Sequence, residues 1–466
     1  MAEKTASDLR KDELFYRQKN GCERVSSEEN GRINLYCEDY KRYLDNSKTE
    51  REAVKEAVLL AEAAGFVPYS PGKVIKSGDK LYYVNRGKSL MLAVIGSLSL
   101  SEGANIAAAH IDSPRLDLKQ NPLYEDSELA YFKTHYYGGI KKYQWVTIPL
   151  ELHGVLALKS GENIEIVIGR DPGDPVFVIT DLLPHLSADQ YKKNLAESFP
   201  GESLNILLGS RPYAEKCESD SVKLNIMEIL NKKYGISEED FLSAEISAVP
   251  SVTTRDIGLD RSLLGGYGHD DRVCAYASLR AILDTKAPKK TAVCVLADKE
   301  EIGSEGVSGL KSAAFDTFMK GLCDSQGVDL GLCFSKSCCI SADVCNAFDP
   351  NYAEVSDKRN NARINYGVGI CKYTGSRGKS SASDASAELV AKMRRLFDEN
   401  NVVWQMAELG KVDQGGGGTV AVYMAQRNID TIDAGVPVLS MHAPFEVVSK
   451  LDAYMTYRAV ASLYAE

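Results

Sequence analysis

The chain has 466 residues, 44% hydrophobic and 26% charged, as expected of a globular protein with a large core and two or three domains. Its formal net charge of -10 weighs against nucleic acid or an anionic membrane as a partner. No stretch reaches the roughly 20 apolar residues of a membrane span. The polar start, "MAEKTASDLRKDELFYRQKNG", lacks the apolar segment of a secretory signal. Eleven cysteines without a C-x-x-C pair, several inside apolar runs, read as buried reduced thiols, so a cytoplasmic protein is expected.

In chain order, "KTEREAVKEAVLLAEAAG" carries apolar residues at helical spacing and ends in Gly. "KLYYVNRGKSLMLAVIG" reads as a hairpin turning at Arg86-Gly87-Lys88. "ANIAAAHIDSP" reads as a short buried strand closing at His110. From about Leu118 to Pro250 the character changes to short alternating runs such as "VTIPLELHGVLALK" and "NIEIVIGR". This predicts an inserted β-rich domain at 118–253, within a discontinuous domain of 1–117 and 254–466. After Thr254 strands and helices alternate. A helix follows Asp270, "TAVCVLA" and "CCISAD" read as strands, a long helix runs from about Asp384 to Asn400, and "VVWQMA" and "VPVLSMHA" are strands again. The fold class expected is α/β, a layered sheet whose ligands sit beyond the carboxyl ends of the strands.

Five of these elements close on residues that can bind a metal. "IAAAHID" ends in His110 and Asp112, "GYGHDDR" places Asp270 and Asp271 before a helix, and "VLADKEE" ends in Glu300 and Glu301. "CCISAD" ends in Asp343 and "VPVLSMHA" in His442. Alone, each has an ordinary explanation, such as a structural histidine or a helix N-cap. Five such endings on one sheet point to a cation that offsets the repulsion of adjacent glutamates. Imidazole and carboxylate without thiolate suit zinc, with cobalt or manganese as possible substitutes. Five ligands exceed one tetrahedral catalytic site and suit two ions that share a carboxylate. Three ligand carboxylates leave one charge to balance, which a bridging hydroxide would supply.

The strings "AAHIDSPRLDLK", "YYGGI", "DLLPHL", "GHDDRVCAY", "DKEEIGS", "ISADVCNAFDPNY" and "GVPVLSMHA" occur in an order that resembles the aspartyl aminopeptidase and aminopeptidase I family of dinuclear zinc metallopeptidases, closest to its bacterial aminopeptidase I branch. The resemblance covers nearly the whole chain. It implies a metal-dependent aminopeptidase acting on peptides through a hydroxide bridging two zinc ions. Asp270 would bridge, Glu301 and His442 would complete one site, and His110 and Asp343 the other. Glu300 would be the general base, and Asp112 would hold the His110 imidazole. His185, in "DLLPHLSADQ", would reach the neighbouring protomer's active site and hold the substrate carbonyl or its oxyanion; counting it as a zinc ligand is the other option. The insert would be the dimerisation domain, with dimers assembling into a tetrahedral dodecamer. Asp271, Asn346 and Asp349 depart from some relatives. Lys372, Arg377, Lys379 and Lys411 could pair an acidic substrate or simply be solvated. Two other readings are a catalytically silent oligomeric scaffold or cargo-binding protein on the same fold, and a deacylase or carboxypeptidase on a similar site.

Overall fold

The computed structural model describes residues 5–466. Its main sheet has nine strands, in the order Val67–Pro68, Lys80–Asn85, Ser89–Val94, Thr291–Ala297, Ala104–His110, Cys338–Ser341, Asp430–Gly435, Val368–Cys371 and Trp404–Met406. The middle four strands, Thr291–Ala297 to Asp430–Gly435, are mutually parallel. Parallel strands buried on both faces read as continuous apolar runs rather than alternating ones, which is why "TAVCVLA" and "NIAAAH" carry almost no polar residue. Along Ala104–His110, Ala107 and Ala109 pack on one face and Ile106 and Ala108 on the other. The first face is covered by helices Ser27–Asn46, Glu50–Ala63, His269–Asp284, Ala387–Glu399 and Lys450–Ala465; the second by Ala314–Asp324 and Leu330–Ser335.

A second sheet of six strands is antiparallel throughout and draws all its strands from 115–250. It has its own core around Trp145, Phe132 and Phe241. The expected boundary at 117/118 falls inside its strand Arg115–Asp126. The periodicity there breaks at a register shift between Leu118 and Leu123, which is where the sequence changes character. Ion pairs join this sheet to the first turn of helix Glu50–Ala63. Arg115 Nη1 lies 3.1 Å from Glu50, and His153 sits between Glu52 at 2.9 Å and Glu151 at 3.3 Å.

The third sheet has five short strands, Arg255–Ile257, Leu263–Gly266, Glu446–Ser449, Pro437–Leu439 and Cys345–Asn346. It corrects one expectation. Asp270 and His442 follow strands of this small sheet, not of the main one, so the five endings come from two sheets. Strands of three and four residues carry too little periodicity to be assigned to a sheet from sequence. The other expected elements are present, with the long helix shortened to Ala387–Glu399 behind its Ser386 cap. No described helix is long and apolar enough to cross a membrane.

Where the two sheets meet, Gly435 passes against the backbone of Asp343, and a Cβ there would run into the Asp343 carbonyl oxygen. Gly435→Ala is therefore expected to cost about 1–3 kcal/mol, the usual range for overpacking. Urea unfolding of the chelated protein should register it; an unchanged midpoint would contradict this close approach.

Candidate metal centre

The carboxyl ends of the parallel strands deliver four of the candidate residues. His110 is the last residue of its strand, Glu300 and Glu301 open the turn Glu300–Ile302 just beyond Thr291–Ala297, and Asp343 lies two residues past Ser341. Lys299 (φ 67°) and Gly303 (φ 87°) adopt left-handed conformations on either side of that turn, which swings both glutamates over the sheet edge. Asp270 comes in from the start of helix His269–Asp284, where its backbone is still non-helical. His442 comes in from the small sheet with φ 65°.

These groups converge. His110 Nε2 is 3.2 Å from Asp270 Oδ1 and 3.9 Å from Asp343 Oδ1. His442 Nε2 is 3.2 Å from Asp270 Oδ2 and 3.6 Å from Glu301 Oε2. Two donor clusters result, His110–Asp270–Asp343 and Asp270–Glu301–His442, each with its donor atoms within 4.8 Å of one another. Asp270 belongs to both through a different oxygen. Glu300 Oε2 stands 3.9 Å from His110 Nε2 and belongs to neither cluster.

Both imidazoles are oriented by backbone carbonyls. His110 Nδ1 donates to the Asp112 carbonyl at 3.0 Å and His442 Nδ1 to the Gly139 carbonyl at 2.8 Å. Each Nε2 is thereby left as the donor atom facing the carboxylates. The Asp112 carboxylate, fully buried, lies 3.3 Å from His110 Nδ1 and accepts from the backbone N–H groups of both Glu300 and Glu301 at 3.2 Å.

The electrostatics are those of a site built for cations. Burial pushes Glu300 up to about 7, helped by Asp112 and Asp270. Burial and the nearby Asp270 raise Glu301 well above the usual carboxylate range, and burial with Asp271 does the same to Asp343. Burial disfavours charged imidazoles, yet Asp270 and Glu301 outweigh it and raise His442 to about 10. Asp270 is held low despite its burial, because it pairs with both histidines. Glu301 Oε1 is buried with no hydrogen-bond partner. An unpartnered buried carboxylate oxygen is costly unless something compensates it. Oxygen and nitrogen donors without a thiolate suit a divalent cation such as zinc.

Sequence reasoning missed three groups. Glu446, fully buried, accepts from the backbone N–H of Asp270 at 3.0 Å and of His442 at 2.7 Å, and so ties together the two ligands that the small sheet supplies. Its signal was its place four residues after His442. Tyr137 donates to Asp112 at 2.7 Å, and Gly139 supplies its carbonyl to His442; both lie in "YYGGI". His185 lies apart in the turn Pro184–Leu186, exposed, in neither donor cluster, among exposed Leu182, Leu183, Leu186 and Tyr191. Lys372 and Lys379 pair with Asp384, and Lys411 donates to the Glu354 carbonyl. Beside His442 opens a cleft of about 470 Å³ lined by Lys141, Tyr143, Asn346, Asp349, Tyr352 and Met441 among others.

Comparison with known proteins gives this geometry its context. Residues 43–464 match the family model of the aminopeptidase I zinc metalloproteases (M18). A probable M18 family aminopeptidase 1 of Clostridium acetobutylicum is 48% identical over 452 residues, 95% of this chain and 97% of the relative. The crystal structure of an M18 family aminopeptidase from Thermotoga maritima superposes with a TM-score of 0.92 at 45% identity, covering 97% of this chain and 99% of that one. A dodecamer of mApe1 from S. cerevisiae shares the fold alone, with a TM-score of 0.75 at 19% identity over 93% of this chain and 98% of that one. The chain belongs to the aminopeptidase I zinc metalloprotease family (M18) and is a zinc-dependent aminopeptidase.

Proposed function

We propose that the chain removes the N-terminal residue of peptides at a centre of two zinc ions, with Glu300 as general base. The observation that carries this is the double membership of Asp270: its two oxygens face two different imidazoles, each with its own further carboxylate. His110 and Asp343 would hold one ion, Glu301 and His442 the other, and Asp270 both. When bound, the ions would supply Lewis acidity, polarising the peptide carbonyl and acidifying the attacking water.

The chain's own residues do the rest. Glu300 reaches the site's edge yet joins neither cluster, and burial pushes its pKa up to about 7, suited to taking a proton and returning it. It receives the proton of the attacking water and delivers it to the leaving amine. Asp112 keeps the His110 ring and both glutamate backbones in place. The cleft beside His442 has room for a peptide's residues on either side of the scissile bond. We infer that 118–253 is an inserted dimerisation domain and that dimers build a tetrahedral dodecamer. The exposed leucines around His185 favour a buried place for that turn in an oligomer. His185 then serves the partner's substrate carbonyl rather than a metal, because five other residues already suffice for two ions. Eleven free cysteines, nine of them buried, agree with a reducing cytoplasm.

Glu300→Gln should retain both metals and the assembly but lose about 10²–10⁴-fold in turnover. Metal analysis alongside kinetics checks this, and a near-normal rate at normal metal content would remove Glu300 from the role. Asp270→Ala should be the most damaging single ligand change, with both ions weakened together.

Chelation should abolish activity, with zinc or cobalt restoring it, and should also make stability fall with pH. Without ions, Glu300 at about 7, Glu446 at about 8 and His442 at about 10 all lie above their unfolded values. The folded chain then holds more protons than the unfolded one, so stability present at low pH is lost as pH rises through these values. Asp270, held low, acts only in acid and does not enter this window. Melting curves from about pH 6 to 9 should fall by several degrees after chelation and stay flatter with zinc bound. Equal slopes would count against a cation-balanced site.

His185→Ala and Glu300→Gln homo-oligomers should each be nearly inactive, whereas mixed oligomers should regain activity. In a mixed dimer, the His185→Ala chain keeps Glu300 and receives an intact His185 from its partner. Inactive verified heterodimers, with remixed wild type still active, would place His185 outside the site.

A further inference from the structure

We infer that the turn Tyr137–Gly139, carried by the six-stranded sheet, is a positioning element that sets metal affinity at both clusters, with Tyr137 as its principal positioning residue. This rests on the two-ion reading above and extends it to residues outside the ligand set.

Three consecutive residues touch three parts of the centre. The Tyr137 hydroxyl donates to Asp112 Oδ2 at 2.7 Å. That same oxygen accepts from Glu301 N, while Asp112 Oδ1 faces His110 Nδ1 and accepts from Glu300 N. Gly138 (φ +74°) lies so close to Glu301 that a Cβ would stand 3.2 Å from Oε2. The Gly139 carbonyl accepts from His442 Nδ1, and a Cβ on Gly139 would stand 3.2 Å from that nitrogen. The turn therefore fixes which nitrogen His442 presents, limits where Glu301 can move, and supplies a hydroxyl donor to a fully buried carboxylate.

The turn is itself held firmly. The Arg115 guanidinium lies 4.0 Å from the centre of the Tyr137 ring. It is fixed by Glu50 at 3.1 Å on the main-sheet side and by Asp117 at 2.8 Å, which Ser247 Oγ meets at 2.6 Å. Tyr137 is thus clamped between the helix start at Glu50 and the six-stranded sheet, and displacement of one against the other would reach the ligands through it.

The effects of the three residues are separable. Loss of the Tyr137 hydroxyl disturbs Asp112 and hence His110, Glu300 and Glu301, which bears on both ions. A methyl at Gly139 disturbs His442 alone, which bears on one. Groups that orient ligands in this way typically govern 10–100-fold in metal affinity.

The test titrates chelated wild type, Tyr137→Phe and Gly139→Ala with cobalt(II), followed by visible absorption and chelator competition, with melting of the metal-free proteins as control. Wild type should take up two ions. Tyr137→Phe should bind both about 10–100-fold more weakly, with kcat lowered and KM near wild type. Gly139→Ala should bind one ion as wild type does and the other at least about 10-fold more weakly, with an altered spectrum for that equivalent. If Gly139→Ala fails to fold, the near-isosteric Tyr137→Phe carries the test. Wild-type isotherms in the variants overturn the inference, as does a loss of affinity matched by a general loss of melting temperature in the metal-free protein. A wild-type chain that binds fewer than two ions overturns the dinuclear reading as well, which distinguishes the two failures.

Discussion

The side chains of Asp270, Glu301 and Asp343 are almost withdrawn from water within a few ångströms of one another, and each would repel the next if charged. Desolvation and like charge both act against ionisation, which is why burial drives Glu301 and Asp343 so far from ordinary carboxylate behaviour. Two imidazoles offset part of this and cannot offset all of it. Divalent charge is what the arrangement requires, and the folding of the chain around this point is intelligible as the means of keeping the acids together.

The means are mostly backbone. Asp112 and Glu446 are buried carboxylates that belong to neither donor cluster and accept N–H groups, from Glu300 and Glu301 in one case and from Asp270 and His442 in the other. The first pins the turn at the edge of the main sheet, and the second pins the two ligands that come from the small sheet. Four of the six candidate residues are therefore held by main-chain hydrogen bonds to two acids. A site assembled from two sheets needs such ties, because neither sheet alone fixes the distance between its own ligands and those of the other.

Much of this was legible in the sequence. Three of the four parallel strands stand out as apolar runs, since a strand buried on both faces has no solvent side to mark with polar residues; the fourth, Asp430–Gly435, carries two aspartates and a threonine and was not legible as a strand. Three of the five candidate ligands close or follow those runs at short distances, and Asp270 opens the helix after "GYG". The small sheet was not legible. Strands such as Pro437–Leu439 are too short to show a period, so sequence alone puts His442 on the wrong sheet while still finding its place among the ligands. Glu446 and Tyr137 were missed for a related reason. Glu446 stands four residues after His442, but nothing in that spacing marks it as an acceptor of backbone N–H groups, and only the folded chain brings residue 137 beside residue 112 or residue 446 beside residue 270.

The adjacent glutamates show how local geometry gives identical side chains different surroundings. Both sit in one short turn, both backbones hang from Asp112, and both carboxyls are lifted by burial. Yet Glu301 is 4% exposed and lies 3.6 Å from His442, whereas Glu300 is 18% exposed and lies nearest His110, outside either donor cluster. In the proposed roles, ligation calls for a fixed carboxylate that a bound cation can hold ionised. Proton transfer calls for one whose affinity for a proton matches the working pH and that retains access to water. A single residue step along a turn, with a left-handed residue on each side, is enough to give one glutamate the first environment and its neighbour the second.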